Sequence, residues 1–481
     1  MPKSCRPTVG ATHAAVNYTR SVPAIHLRGV RADLRSARWG FLVTFMLRYC
    51  VLHCLLVASC AVAAPMELVA PSALEPNTSP DSTRAEALFA GAREAAEAGR
   101  AAEAFRLAGE ALAHDPDHAE ARRVLGYTRT GDGWTTPYGA RMARRGLVWD
   151  GRYGWIKPDD LPRYEAGERP LGSKWISKED DAARHATIER GWQVQSDHWL
   201  VTTNDSLEAA AGLSQELEAL LDVWRALFAD FNTDRREAAA LFAGDRGPRA
   251  WRRPMKLVYH RDKQGYVAAL RSRQPRIDET IGIYFDNLRE SHFANLDQRG
   301  GELARATLYH EATHQLFQEC QPTAKEIGRL GNFWATEGVA LYMESLRGSG
   351  DRYTLGGPDA GRLPAARQRL AEGYYVPFAE LAALGKRDLQ RRTDLPPLYS
   401  QMAGLAAYLM EAEEGALRPA FVEHLRAVYN GEDDPQDLPR RLGREAQQLD
   451  SGYRRWVQSL PEATADANLQ GSGGDGAEPR P

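Results

Sequence analysis

Cysteine is scarce in this chain: there are five in 481 residues, and Cys5, Cys50, Cys54 and Cys60 all precede Pro65. Loss of that leader would leave Cys320 alone, which excludes an internal disulfide and reads as a packed, inert thiol. Charge of one sign is missing too. With 61 Lys and Arg against 64 Asp and Glu the net charge is −3, so there is no electrostatic footprint for nucleic acid. A short basic cluster such as Arg141 to Arg145 reads as a solvated face. The apolar run within Phe41 to Ala64 is too short for a comfortable membrane span.

What that run does have is arginines before it and Ala61-Val62-Ala63-Ala64-Pro65 at its end, the pattern of a signal peptide with an A-x-A cleavage site. The expectation is an exported chain, periplasmic or secreted. Met46 followed by Leu47-Arg48 makes a more typical signal start than Met1, so residues 1 to 45 read as an over-extended start. Val57-Ala58-Ser59-Cys60 also has the form of a lipobox, and a lipid on Cys60 would be the one route to a membrane. The A-x-A site directly after it favours ordinary cleavage.

The most informative stretch is His310-Glu311-Ala312-Thr313-His314. On a helix, HExxH sets two imidazoles one turn apart on one face, while Glu311 projects about 100° away, where it can reach a metal-bound water. That is the pattern of a zinc site with its own general base. The helix from Leu303 to Phe317 carries Leu303, Ala306, Thr307 and Phe317 beside the two His and Leu308, Ala312 and Leu316 opposite, so it reads as buried. Gly300 and Gly301 precede it, Glu302 suits its first turn, and Pro322 follows its end.

A third ligand lies downstream in Trp334-Ala335-Thr336-Glu337-Gly338-Val339-Ala340-Leu341-Tyr342. Glu337 is expected to open a second helix with Asn332 as its cap, packed against the first, and Gly338 would permit close backbone approach. Two His and one carboxylate leave a fourth position open for water, which suits hydrolysis better than a closed structural site.

HExxH followed about two dozen residues later by W-x-x-E-G-x-A-x-Y resembles the gluzincin metallopeptidases, in particular the peptidase-MA-like domains of exported bacterial proteins. The resemblance covers roughly residues 190 to 460. It implies an α+β fold with a small mixed sheet, an active-site helix and a helical C-terminal part. It also implies Zn2+ on His310, His314 and Glu337, with Glu311 activating water. One departure stands out: thermolysin-like members place an Asp four residues after the ligand Glu to orient a His, and here that position is Leu341.

Amide hydrolysis also needs an oxyanion donor, which gluzincins commonly take from a Tyr or His in the C-terminal helical part. Tyr399, at the start of an apolar helix after Pro396-Pro397, is the candidate donor, and a core tyrosine is the competing reading. Thr280 to Phe285 is β-rich, and Ile281, Gly282, Ile283 and Tyr284 resemble the edge strand that holds an extended peptide by backbone hydrogen bonds. An interior strand is the alternative. Lys256 to His260 reads as its partner strand.

The remaining segments divide as follows. Residues 1–64 are leader and 65–83 read as a linker. Residues 84–128 are Ala-rich and resemble one tetratricopeptide repeat with a following helix, a TPR-like all-α hairpin that could dock a protein partner. Residues 129–190 form a connector whose Trp134, Trp149, Trp155 and Trp175 read as packed corners or a carbohydrate platform. Residues 191–465 hold the catalytic unit, opening with a strand at Trp199 to Thr203 and a long amphipathic helix through Leu217 and Trp224. Residues 466–481 read as a disordered tail. The expected function is an exported zinc peptidase acting on peptide or protein substrates. A catalytically silent TPR-type adaptor and an envelope protein with a structural zinc are the alternatives.

Overall fold

The computed structural model describes residues 65–73, 81–131, 133–249, 253–296 and 301–461. The signal peptide, the Met46 start, Cys60, Gly300 and the tail readings lie outside the described residues. No helix among the described residues is long and apolar enough to cross a membrane.

The segment expected as a linker begins otherwise. Met66–Val69 forms strand β1, and Leu68 is buried. Two antiparallel helices follow, α1 (Ser82–Glu97) and α2 (Ala101–His114), whose facing surfaces are mostly alanine. Small side chains at that seam let the axes come close. The Asp81 carboxylate caps α1 through the Arg84 amide, and Gly99 turns the chain with a positive φ.

One flank of each helix of this hairpin is covered from within the chain, while the outward side of α1, with Arg84, Glu86, Arg93 and Glu94, stays exposed. Helices α3 (Leu207–Phe228) and α4 (Arg235–Ala243) flank it, and Ala238, Leu241 and Phe242 of α4 complete its core. Asp230, just after α3, accepts from the Ala101 and Ala102 amides at 2.5 and 3.3 Å, satisfying donors that the first turn of α2 leaves open.

Between the hairpin and the sheet lies a tandem arrangement, in which each unit is a two-stranded hairpin followed by a short helix. Thr128–Thr130 pairs with Gly133–Thr135, Val148–Asp150 with Gly154–Ile156, and Glu168–Leu171 with Lys174–Ser177. The helices that follow are Pro137–Ala143, Leu161–Glu165 and Lys178–Arg184. Trp134, Trp155 and Trp175 each hold the second position of the closing strand. Arg129 lies over Trp134 at 5.4 Å, Arg163 over Trp175 at 4.2 Å, and Trp149 meets Trp155 edge to face at 5.4 Å.

The main sheet has five strands: β2 (Trp192–Gln195), β3 (Trp199–Thr203), β4 (Met255–His260), β5 (Gly282–Phe285) and β6 (Glu290–Ala294). Their spatial order is β5-β6-β4-β3-β2, with β4 parallel to both neighbours and β5 antiparallel to β6 at the edge. The Lys256–His260 strand therefore does not pair with Gly282–Phe285, because β6 intervenes.

Alternation along β6 divides its two faces. Phe293 joins the main core, whereas His292 and Ala294 face away from it, and Ala294 packs with Tyr266 and Leu270 of helix α5 (Lys263–Leu270). On that far side His260 and His292 meet at 3.2 Å.

Helix α6 (Gly301–Glu319) lies on the core face of the sheet, and helix α7 (Phe333–Met343) packs on it. Strands β7 (Arg347–Ser349) and β8 (Arg352–Leu355) follow, and β1 adds to β8 with Met66 opposite Leu355. Helices α8 (Leu395–Glu411) and α9 (Arg418–Tyr429) back α7. All eleven residues of α7 are buried, so it forms the centre of the helical half. The chain is thus a mixed, helix-dominated architecture with small sheets, compatible with the α+β class.

Candidate metal centre

Helix α6 is less buried at its start than its composition suggests. Leu303 is 47% exposed, and burial sets in at Thr307, just before the HExxH run. From there the i, i+4 spacing turns His310 and His314 to the same side, with their Nε2 atoms 3.2 Å apart. Glu337, in the middle of α7 and not at its start, places Oε2 and Oε1 3.7 Å from His310 Nε2 and His314 Nε2. Metal bonds of about 2.0–2.2 Å put tetrahedral ligand atoms about 3.4 Å apart, so two imidazoles and a carboxylate fit zinc without rearrangement. Among the described residues this is the one such cluster.

The position of Glu337 depends on how close α7 approaches α8. A Cβ on Gly338 would lie 3.1 Å from the Met402 carbonyl oxygen, so the two helices would have to part by a few tenths of an ångström to admit a side chain there. Asn332 does not cap α7. It sits in the left-handed region at φ 59°, and its side chain instead donates to the Asp434 carbonyl at 2.8 Å.

Glu311 faces the edge strand. Its Oε2 accepts from the Tyr284 amide at 2.9 Å. Burial raises its carboxyl above the usual range, opposed by the nearby His310 charge and that amide. A raised carboxyl is suited to taking a proton and passing it on.

The acidic partner of His310, absent at Leu341, lies further along. Glu344 Oε1 meets His310 Nδ1 at 2.9 Å, and its Oε2 accepts from Arg362 Nε at 2.7 Å. Burial opposes charge on His310, yet Glu344, with Glu311 and Glu337 nearby, raises it to about 9. Burial and the His310 charge push His314 well below its usual value. A proton held on His310 would leave on metal binding. Glu344 follows Glu337 by seven residues, two helical turns, so both project from one face.

The edge-strand residues fall as follows. Ile281 precedes β5, and its carbonyl accepts from the Ala294 amide at 2.9 Å. Ile283 stands opposite His292. By the alternation of an antiparallel ladder, Gly282 and Tyr284 then turn their amides and carbonyls outward, and one of those amides is the one that meets Glu311. Gly282 itself lies so near α6 that a Cβ would be 2.6 Å from Thr307 Cγ2. The Tyr284 hydroxyl reaches Glu319 at 3.4 Å, and Arg289, at φ 54° in the hairpin turn, pairs with the same carboxylate at 3.0 Å.

Tyr399 is placed in the apolar core on α8, 4% exposed. Cys320 is buried and free, and burial pushes its thiol up, away from reactivity. No protein-family model matches the chain, and no curated protein matches it at a significant level.

Proposed function

We propose that this chain is an exported, zinc-dependent peptidase of gluzincin type. The observation that carries the reading is the convergence of His310 Nε2, His314 Nε2 and the Glu337 carboxylate beside a half-buried Glu311 that touches an edge strand. The edge position of β5 supports a peptide held along it by the outward groups of Gly282 and Tyr284. When bound, zinc would supply a Lewis acid and a more acidic water. Glu311 would take a proton from the attacking water and return it to the leaving nitrogen, so that one water and one peptide bond become a carboxylate and an amine. Glu344 and Arg362 would hold the His310 ring in the orientation that bares Nε2. The TPR-like hairpin packs on α3 and α4 and would offer the exposed side of α1 to a protein partner.

The test is zinc per chain by elemental analysis, beside His310→Ala and Glu337→Ala, followed by cleavage of a mixed peptide library. About one zinc, lost in both variants, with turnover lost in Glu311→Gln while zinc is kept, is the expected result. A folded, metal-supplemented sample without zinc would refute the proposal.

A further inference from the structure

Besides His310, two cations act on the ligand Glu337, and they are Arg362 and Lys386. Arg362 is committed to Glu344, with its Nε 2.7 Å from Oε2. Lys386 is exposed, and no carboxylate among the described residues pairs with it. It opens the short helix Lys386–Gln390, and its backbone amide donates to the Gly328 carbonyl at 2.9 Å, which pins it to the connection between α6 and α7. Its ammonium lies over the Phe333 ring, 5.5 Å from the centroid. Phe333 stands one turn before Glu337 on α7, so ring and carboxylate leave the helix on the same side. Burial sets the direction of the pKa shifts at His314 and Glu337, and the Lys386 charge is felt at both.

A free cation in that place does nothing for the metal. Two neutral imidazoles, one carboxylate and Zn2+ carry a net charge of about +1, and a further positive charge nearby repels it. Glu337 does not answer for Lys386 either, because its two oxygens face the Nε2 atoms of His310 and His314, where the metal would take them. What remains to match the ammonium is an anion brought by the bound molecule. Strand β5 touches the site at Glu311, whereas Lys386 acts on it at His314 and Glu337, so a peptide lying between them meets backbone groups from one and a charge from the other.

We propose that Lys386 is a specificity-determining residue that takes a carboxylate of the peptide bound at the metal centre, which makes anionic peptides the preferred substrates. The carboxylate is either the free chain end or an Asp or Glu side chain. The inference rests on the peptidase reading above.

The test measures affinity and not turnover, on the purified full chain carrying Glu311→Gln, at low ionic strength where such a pair is least screened. The probes are short alanine peptides with a fluorescent N-terminal label, in two pairs: free against amidated C-terminus, and one internal Glu against Gln in an amidated peptide. In one pair or both, the acid should bind about fivefold more tightly than its amide, the upper end for an exposed ion pair. That preference should vanish in Lys386→Met and survive in Lys386→Arg, with zinc content the same in all three proteins. The pair that shows it identifies the source of the carboxylate. Equal affinities within both pairs overturn the proposal, as does a preference kept in Lys386→Met. Zinc lost in Lys386→Met also overturns it, since Lys386 would then be a support of Glu337. A chain without zinc that still shows the Lys386-dependent preference sinks the peptidase reading and leaves the carboxylate contact standing, whereas a zinc-loaded chain without preference sinks this proposal alone.

Discussion

Glu344→Ala isolates the support of the metal centre without touching a ligand. In the intact chain one carboxylate spans His310 Nδ1 at 2.9 Å and Arg362 Nε at 2.7 Å, which fixes both the tautomer and the plane of the ring. Removal leaves Nδ1 to find another acceptor and leaves Arg362 without its carboxylate partner in a half-buried place. Loss of such an outer partner weakens metal affinity by about 10–100-fold, equivalent to about 1.4–2.7 kcal/mol. The assay is competition for zinc with a coloured chelator at neutral pH, on wild type, Glu344→Ala, Glu344→Gln and Arg362→Met. Glu344→Gln should fall between wild type and Ala, because its amide oxygen still accepts from Nδ1 without carrying charge. The double variant Glu344→Ala with Arg362→Met should lose little beyond Glu344→Ala, since the two side chains act as one chain. A Glu344→Ala affinity within about twofold of wild type, in a protein whose His310→Ala form holds no zinc, would refute the reasoning.

Other perturbations test the frame around that site. Burial, helped by His292, holds His260 down at about 4, against about 6.5 in an unfolded chain. The native form then binds fewer protons in that window, so stability should rise by about 3 kcal/mol between about pH 4 and 6.5. Urea melts across that range should show the slope, and His260→Phe should flatten it. Gly338→Ala forces a methyl against the Met402 carbonyl and should cost about 1–3 kcal/mol in urea; no loss would mean that α7 and α8 have room to part. Asp230→Ala removes the acceptor for the first amides of α2 and should cost about 1–2 kcal/mol, seen as lower thermal stability with the metal content unchanged.

What was legible in the sequence was whatever repeats on a short period. The i, i+4 histidines, the glycine after Glu337 and the strand at Trp199–Thr203 all announce themselves over a few residues, and the structure places them as read. Partners fixed by long-range contact did not. Met66–Val69 is four residues without a pattern, and it becomes a strand only because β8 offers an edge. Strand β6 was hidden because polar Ser291 and His292 alternate into two different environments, one against Gln315 at 2.7 Å and one against His260. Asn332 has the right chemistry for a cap, but its backbone is left-handed and its side chain is spent on Asp434. Two signals were present and unread: the seven-residue step from Glu337 to Glu344, and the recurrence of Trp134, Trp155 and Trp175 about every 20 residues.

Strand β1 has a kinetic consequence. Its partner lies about 290 residues further along the chain, so pairing Met66 with Leu355 closes a loop that spans about three quarters of the described residues. Closing so long a loop is entropically dearer than zipping any of the Trp-bearing hairpins, whose strands sit a few residues apart. Those units can form while the chain is still being made. The first described strand must wait, unpaired, until β8 has been made, and its docking is then a late event that reports whether everything between has folded.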